Sequence, residues 1–178
     1  MSADPTQPKR PIEEVKAACA FYAKLGHDVA YFYALWHTFN VGHMLATDLD
    51  RICRRYGLSI ADFNLMGALR IDRPQPLRAT DLAVTLQVSN AALTGRIGRL
   101  ERNGMLVKSP SGSDRRAFRL RLTREGASVV EAIHFAMARD SHFVRHFRQL
   151  PDEDRAALER IMGELHTQLD RYLTPAHR

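Results

Sequence analysis

Eleven Lys and Arg side chains lie between Asp72 and Arg124, against four Asp and Glu. The rest of the chain carries 15 basic and 16 acidic residues, so the net charge of +6 belongs to one stretch. Clustered guanidinium groups neutralise phosphates and release their counterions, which is the chemistry of a polyanion-binding surface. The competing reading is a solvated basic face. Within the stretch, Arg96 and Arg99 stand one helical turn apart among small residues, and Arg115 and Arg116 follow Asp114 beside Gly112. The first pair suits a helix face that approaches a nucleic acid closely. The second suits a loop entering a narrow groove, where negative potential is strongest.

Other chemistries find little support. There is no serine elbow, no phosphate-binding glycine loop and no His-Glu-x-x-His run, so neither an enzyme nor a cofactor is expected. His142 and His146 lie four apart and could supply half a zinc site, but no Cys or carboxylate pair stands near them, and no metal site is assigned. Two cysteines, Cys19 and Cys53, exclude a disulfide framework and fit a reducing cytoplasm. Cys19 reads first as a buried, inert thiol. No run of apolar residues is long enough to span a membrane, and the polar, proline-containing start of the chain has no signal-peptide core. Trp36, Phe39 and His43 recur at helical spacing, with Phe63 and Met66 on the helix expected beside them. They read either as core or as an aromatic pocket with one polar tip, suited to a small planar ligand.

The elements that must position these groups follow from apolar periodicity. Residues 1–11 read as a disordered tail. Helices are expected over Ile12–Leu25, over Asp28–Tyr56, and from Ser59 to Ile71, where Ser59 and Asp62 form a capping-box variant. Pro74 and Pro76 break the chain. Thr80 caps a short helix ending near Gln87, and Ser89 caps another reaching Arg102. Met105–Ser109 and Ala117–Leu122 read as strands around a hairpin loop, Ser111–Arg116. Thr123 caps one long helix to about Leu150, and Pro151 and Asp152 open the last. The organisation expected is N-terminal helices for dimerisation and a ligand pocket over 12–72, a DNA-binding lobe over 73–124, and C-terminal dimerisation helices over 125–178.

Two short helices, a tight turn and a basic two-stranded hairpin make a winged helix-turn-helix. The fold class expected is therefore mainly α with a small β wing. In the second helix of the motif Leu93, Ile97 and Leu100 share an inward face. Ser89, Asn90, Ala91, Thr94, Arg96 and Arg99 are expected at the DNA, with Gly95 and Gly98 keeping that side slim. Arg115 and Arg116 are expected in the wing. Leu165 and Leu169 belong to an apolar stripe on the last helix that a lone helix cannot bury, which predicts a two-fold homodimer built on the long N- and C-terminal helices.

Leu82-Ala83, Thr94, Arg99-Leu100-Glu101, Gly104-Met105-Leu106, Asp114-Arg115-Arg116 and Leu122-Thr123 followed by Gly126 resemble the signature of MarR-type transcriptional regulators. The resemblance runs from about Asp28 to Tyr172. It implies an obligate homodimer on a pseudo-palindromic double-stranded DNA site, usually a repressor released by a small ligand or by oxidation. It also implies that Asp114 braces the wing. Ligands in the family bind between the dimerisation helices and the DNA-binding lobe, which favours a small aromatic effector held by Trp36, Phe39, His43, Phe63 and Met66. Gly57-Leu58-Ser59 and the segment from Arg96 to Glu101 are also similar to a urate-responsive branch. That branch has an Asp on its second core helix and a Trp in an extra N-terminal helix. Here Asn64 stands where the Asp would fall, and Ile12–Leu25 contains no Trp.

Overall fold

The computed structural model describes residues 11–71, 79–111 and 114–173. The order is α1 (Pro11–Lys24), α2 (Phe32–Arg54), α3 (Ile60–Arg70), α4 (Ala79–Thr85), α5 (Asn90–Arg102), β1 (Leu106–Ser111), β2 (Asp114–Leu122), α6 (Arg124–Asp140), α7 (His142–Gln149) and α8 (Asp152–Leu173). Residues 1–10 of the expected tail and the Pro74 and Pro76 break lie outside what is described, and α4 begins at Ala79, so Thr80 stands in its first turn and not before it as a cap. The chain divides into two compact units, one ending at Thr47 and one starting at Asp48.

In the first unit, α1 buries Val15 and Cys19. The expected start of α2 at Asp28 is not observed. The Asp28 carboxylate accepts the Ala30 N–H at 2.9 Å, and this local turn competes with helix and delays it to Phe32.

The second unit holds one apolar core, in which Ile52, Leu65, Met66, Leu93, Ile97, Leu100 and Ile133 are fully buried. Gly57 reverses the chain after α2 at φ +72, a conformation that glycine adopts without penalty. Ser59 then caps α3: its hydroxyl accepts the Asp62 N–H at 3.1 Å, and its own N–H donates to the Asp62 carboxylate at 2.9 Å. Between α4 and α5 the turn needs one left-handed residue, and Gln87 supplies it at φ +52.

β1 and β2 pair antiparallel from Leu106 opposite Leu122 to Pro110 opposite Phe118, with an irregularity before Ser111 meets Asp114. Both strands run closer to the tip than the sequence suggests, so the expected loop over Ser111–Arg116 shrinks. Thr123 closes the hairpin. Its hydroxyl donates to the Gly104 carbonyl at 2.7 Å and accepts the Gly126 N–H at 3.0 Å. A Cβ at Gly126 would lie 2.0 Å from the Met105 carbonyl oxygen, so the wing's base seats on α6 only through a glycine.

The single helix expected from Thr123 to Leu150 is two. Ser141 is buried, ends α6 and caps α7 by accepting the Val144 N–H at 3.2 Å. Asp48 fixes the break. Its carboxylate accepts from the Ser141 hydroxyl at 2.8 Å and from the His142 N–H at 2.7 Å. A serine within an apolar-periodic run gives no sign of this, because its partner lies 93 residues away.

Candidate nucleic-acid interface

Helix α5 divides as its sequence requires. Leu93, Ile97 and Leu100 are buried, and Asn90, Ala91, Thr94 and Gly95 are exposed. A Cβ added at Gly95 would meet nothing within 4 Å, so this side of the helix is open to an incoming surface. The Ser89 hydroxyl is spent on the helix itself, accepting the Ala92 N–H at 3.2 Å.

Arg96 and Arg99 of α5 turn to a carboxylate of the chain itself. Arg99 donates to the Asp62 carboxylate at 2.5 Å, and Arg96 lies 3.6 Å from the same oxygen. Asp62 is fully buried on α3. Burial pushes its carboxyl up, but hydrogen bonds from the Ser59 hydroxyl, the Ser59 N–H and Arg99 outweigh that and hold it below the usual range. One carboxylate thus caps α3 and ties α5 to it. The sequence shows Asp62 only as a cap, and position 64 holds Asn64, which is exposed. The helix is nevertheless not without a buried anion: it sits at Asp62, two residues earlier. Two arginines three apart on a facing helix were the available signal.

The backbone of β2 begins at Asp114 and carries Arg115 and Arg116 through the first strand positions. The side chains of all three lie outside what is described. Further along, Arg119 and Arg121 are exposed while Leu120 is buried between them. The period of two along a strand places these two arginines on the outer face of the hairpin, and they join the expected contacts as further basic groups there. Lys108 of β1 pairs with Glu101 of α5 at 2.6 Å and fixes the strand to the helix end.

The residues expected to hold a ligand divide between the units. Phe63 and Met66 lie in the core of the second, with Phe63 edge-on to His134 at 5.4 Å between ring centroids. Phe39 of the first is 72% exposed. Trp36 stacks nearly parallel to Phe32 at 6.1 Å, and both line a cavity of about 630 Å³ in the first unit. The indole N–H of Trp36 is buried and makes no hydrogen bond to any described residue. Among the described residues no three His, Cys, Asp or Glu side chains converge to hold a metal ion, and no helix is long and apolar enough to cross a membrane.

Residues 69–118 match the model of the MarR family. The chain is 27% identical over 125 residues to the HTH-type transcriptional regulator PecS of Dickeya dadantii, covering 68% of this chain and 72% of the relative. It is 34% identical over 105 residues to the transcriptional activatory protein BadR of Rhodopseudomonas palustris, covering 57% of each. The crystal structure of AbsC, a MarR family regulator from Streptomyces coelicolor, superposes with a TM-score of 0.64 at 25% identity, over 77% of this chain and 93% of that one. With its helix-turn-helix and two-stranded wing, the chain is similar to transcriptional regulators of the MarR family, whose model matches residues 69–118.

Proposed function

We propose that the protein is a ligand-responsive repressor that binds a pseudo-palindromic operator as a homodimer in the cytoplasm and is released by a small aromatic effector. The observation that carries the DNA part is the face of α5, where Asn90, Ala91, Thr94 and Gly95 are exposed and slim beside a basic hairpin. Asn90 and Thr94 hydrogen-bond base edges in the major groove. Arg115 and Arg116 enter the minor groove, braced by Asp114, and Arg119 and Arg121 meet phosphates. Arg96 and Arg99 hold the reading helix in place through Asp62. Ser89 presents α5 as its cap.

The homodimer draws on unburied apolar surface. Along α8, Ile161, Met162, Leu165, Leu169 and Tyr172 are all exposed, as are Leu35, Phe39 and Met44 of α2. A stripe this long on a soluble helix calls for a second copy. The effector part rests on the aromatic ladder around Trp36, with Phe39 and His43 further along the same helix, and a planar molecule is what such rings reward. Phe63 and Met66 contribute by shaping the core on which α3 rests.

A fluorescence anisotropy titration against DNA selected from a random duplex pool tests the proposal. The parent protein selects a symmetric site, and an aromatic effector weakens it by about tenfold, equivalent to about 1.4 kcal/mol of coupling. Failure to enrich any symmetric site contradicts the reading. BadR is named an activatory protein, so a promoter fusion should accompany the titration, and transcription that falls when the gene is deleted rejects the repressor assignment.

A second reading is a redox-responsive regulator of the same fold. Its support is Cys19, a buried thiol free of any disulfide, beside which the Tyr33 phenol is held above its ordinary pKa. Peroxide that releases DNA from the parent but not from Cys19→Ser would favour it over the effector reading.

A further inference from the structure

The cavity of the first unit has a definite chemistry. Its volume of about 630 Å³ falls within the range of small-molecule sites, about 300–1,000 Å³. Tyr22, Tyr31, Phe32 and Trp36 line it with four aromatic rings. Tyr22 and Phe32 approach at 5.9 Å, and Phe32 and Trp36 stack at an interplanar angle of 10°. Asp28 is the one carboxylate among the lining residues, and no Lys or Arg is among them. His27 completes the wall, edge-on to Tyr22 at 5.8 Å. Trp36 belongs to the same wall, and its buried indole N–H has no partner among the described residues.

Each feature selects a part of a ligand. Stacked and tilted rings favour a planar aromatic group. Aromatic faces beside a carboxylate attract an organic cation and repel an anion. A buried donor without an acceptor is costly, and a ligand oxygen that reaches it relieves that cost. We infer that the elbow between α1 and α2 is a binding site for an aromatic amine that carries an oxygen acceptor, and that it discriminates against aromatic carboxylates. This deepens the effector reading, on which its regulatory meaning rests. Binding itself does not depend on that reading.

Trp36 is the only tryptophan in the chain, so its emission reports this site and no other. Three probes of one size separate the contributions: tyramine has the amine and the phenolic oxygen, phenethylamine lacks the oxygen, and 4-hydroxyphenylacetate replaces the amine with a carboxylate. They are titrated into the full chain in one buffer at a single pH. Excitation is at the red edge, where phenols do not absorb, and calorimetry repeats each titration.

The expected result is a saturable change in emission with tyramine, which binds about tenfold more tightly than 4-hydroxyphenylacetate and more tightly than phenethylamine. Asp28→Asn keeps the acceptor for the Ala30 N–H but removes the charge, and should bring amine and acid within about threefold of each other. Equal or tighter binding of the acid overturns the proposal. So does tyramine that leaves the emission unchanged, as it would if a second copy of the chain filled the elbow. A preference for the amine that survives Asp28→Asn also overturns it. Operator release is measured separately: tyramine that binds at Trp36 without releasing DNA supports the site and contradicts its role in the effector reading.

Discussion

Asp62 shows how one residue can serve local and long-range structure together. The sequence reveals it as a cap, because Ser59 and Asp62 stand three apart before an apolar run. Its second role depends on α5 lying against α3, and no local pattern encodes that. Arg99→Ala leaves the buried carboxylate short of its closest cation and should destabilise the fold by about 3 kcal/mol. Arg99→Lys should recover only part, since a point charge replaces a planar fork. Chemical denaturation measures both, and an Arg99→Ala variant that keeps full stability while losing DNA would return that side chain to the operator. Asp48 makes a pH prediction. Burial pushes its carboxyl up, but hydrogen bonds from Arg51, Ser141, Phe143 and His142 bring it down to about 2, from an ordinary 3.8. A depressed carboxylate stabilises fully above its unfolded pKa and loses that contribution as pH falls through the folded one. Asp48→Asn should therefore cost about 2 kcal/mol near neutrality and almost nothing near pH 2. A pH-independent difference between the two proteins would show that the carboxylate's charge is not what holds α7.

Elements were legible where their signals are local. Ser59, Ser89 and Thr123 cap the helices they were expected to cap, and Leu93, Ile97 and Leu100 face inward as their spacing requires. The alternation of Leu120 and Leu122 with Arg119 and Arg121 located the second strand. Signals that depend on distant partners were missed. The break at Ser141 needs Asp48, and the late start of α2 needs the Asp28 turn. The reach of the strands toward the hairpin tip comes from pairing across Pro110 and Phe118. At this scale Gly126 gives a sharp prediction. Gly126→Ala must push the wing's base off α6 or shift the helix, and should cost about 2–4 kcal/mol or displace the hairpin. Thermal unfolding and amide exchange in β1 and β2 would register it. Unchanged stability and protection would mean that the contact between Met105 and Gly126 yields easily.

For the whole molecule, the basic stretch and the apolar stripes point to the same assembly. The charge lies on the segment carrying the helix-turn-helix and wing, and α2 and α8 each carry a run of uncovered apolar residues. The slim, exposed side of α5 was legible in outline, because its small residues fall opposite the apolar positions Leu93, Ile97 and Leu100. The ligand site was less so. Trp36 was expected to line a ligand pocket with Phe39 and His43, but the cavity it lines draws instead on Ala18 and Tyr22 of α1, on Phe32 and on the turn before α2, where periodicity carries no information. Sedimentation at micromolar concentration should give a dimer. Leu165→Glu with Leu169→Glu should dissociate or unfold it, at about 2 kcal/mol or more per buried charge, and a parent that sediments as a monomer contradicts the assembly.

In the proposed complex the α5 face reads bases while the wing holds phosphates and the minor groove. Anisotropy titrations at several salt concentrations, with a duplex selected by the parent protein, test it most directly. Thr94→Ala and Asn90→Ala should each weaken the selected site by about 1–3 kcal/mol with an unchanged salt slope, and leave unrelated DNA nearly unaffected. Arg119→Ala should weaken all sequences alike and reduce the slope by about one. If the Asn90 and Thr94 variants bind the selected duplex as the parent does, the helix that reads the operator is not α5.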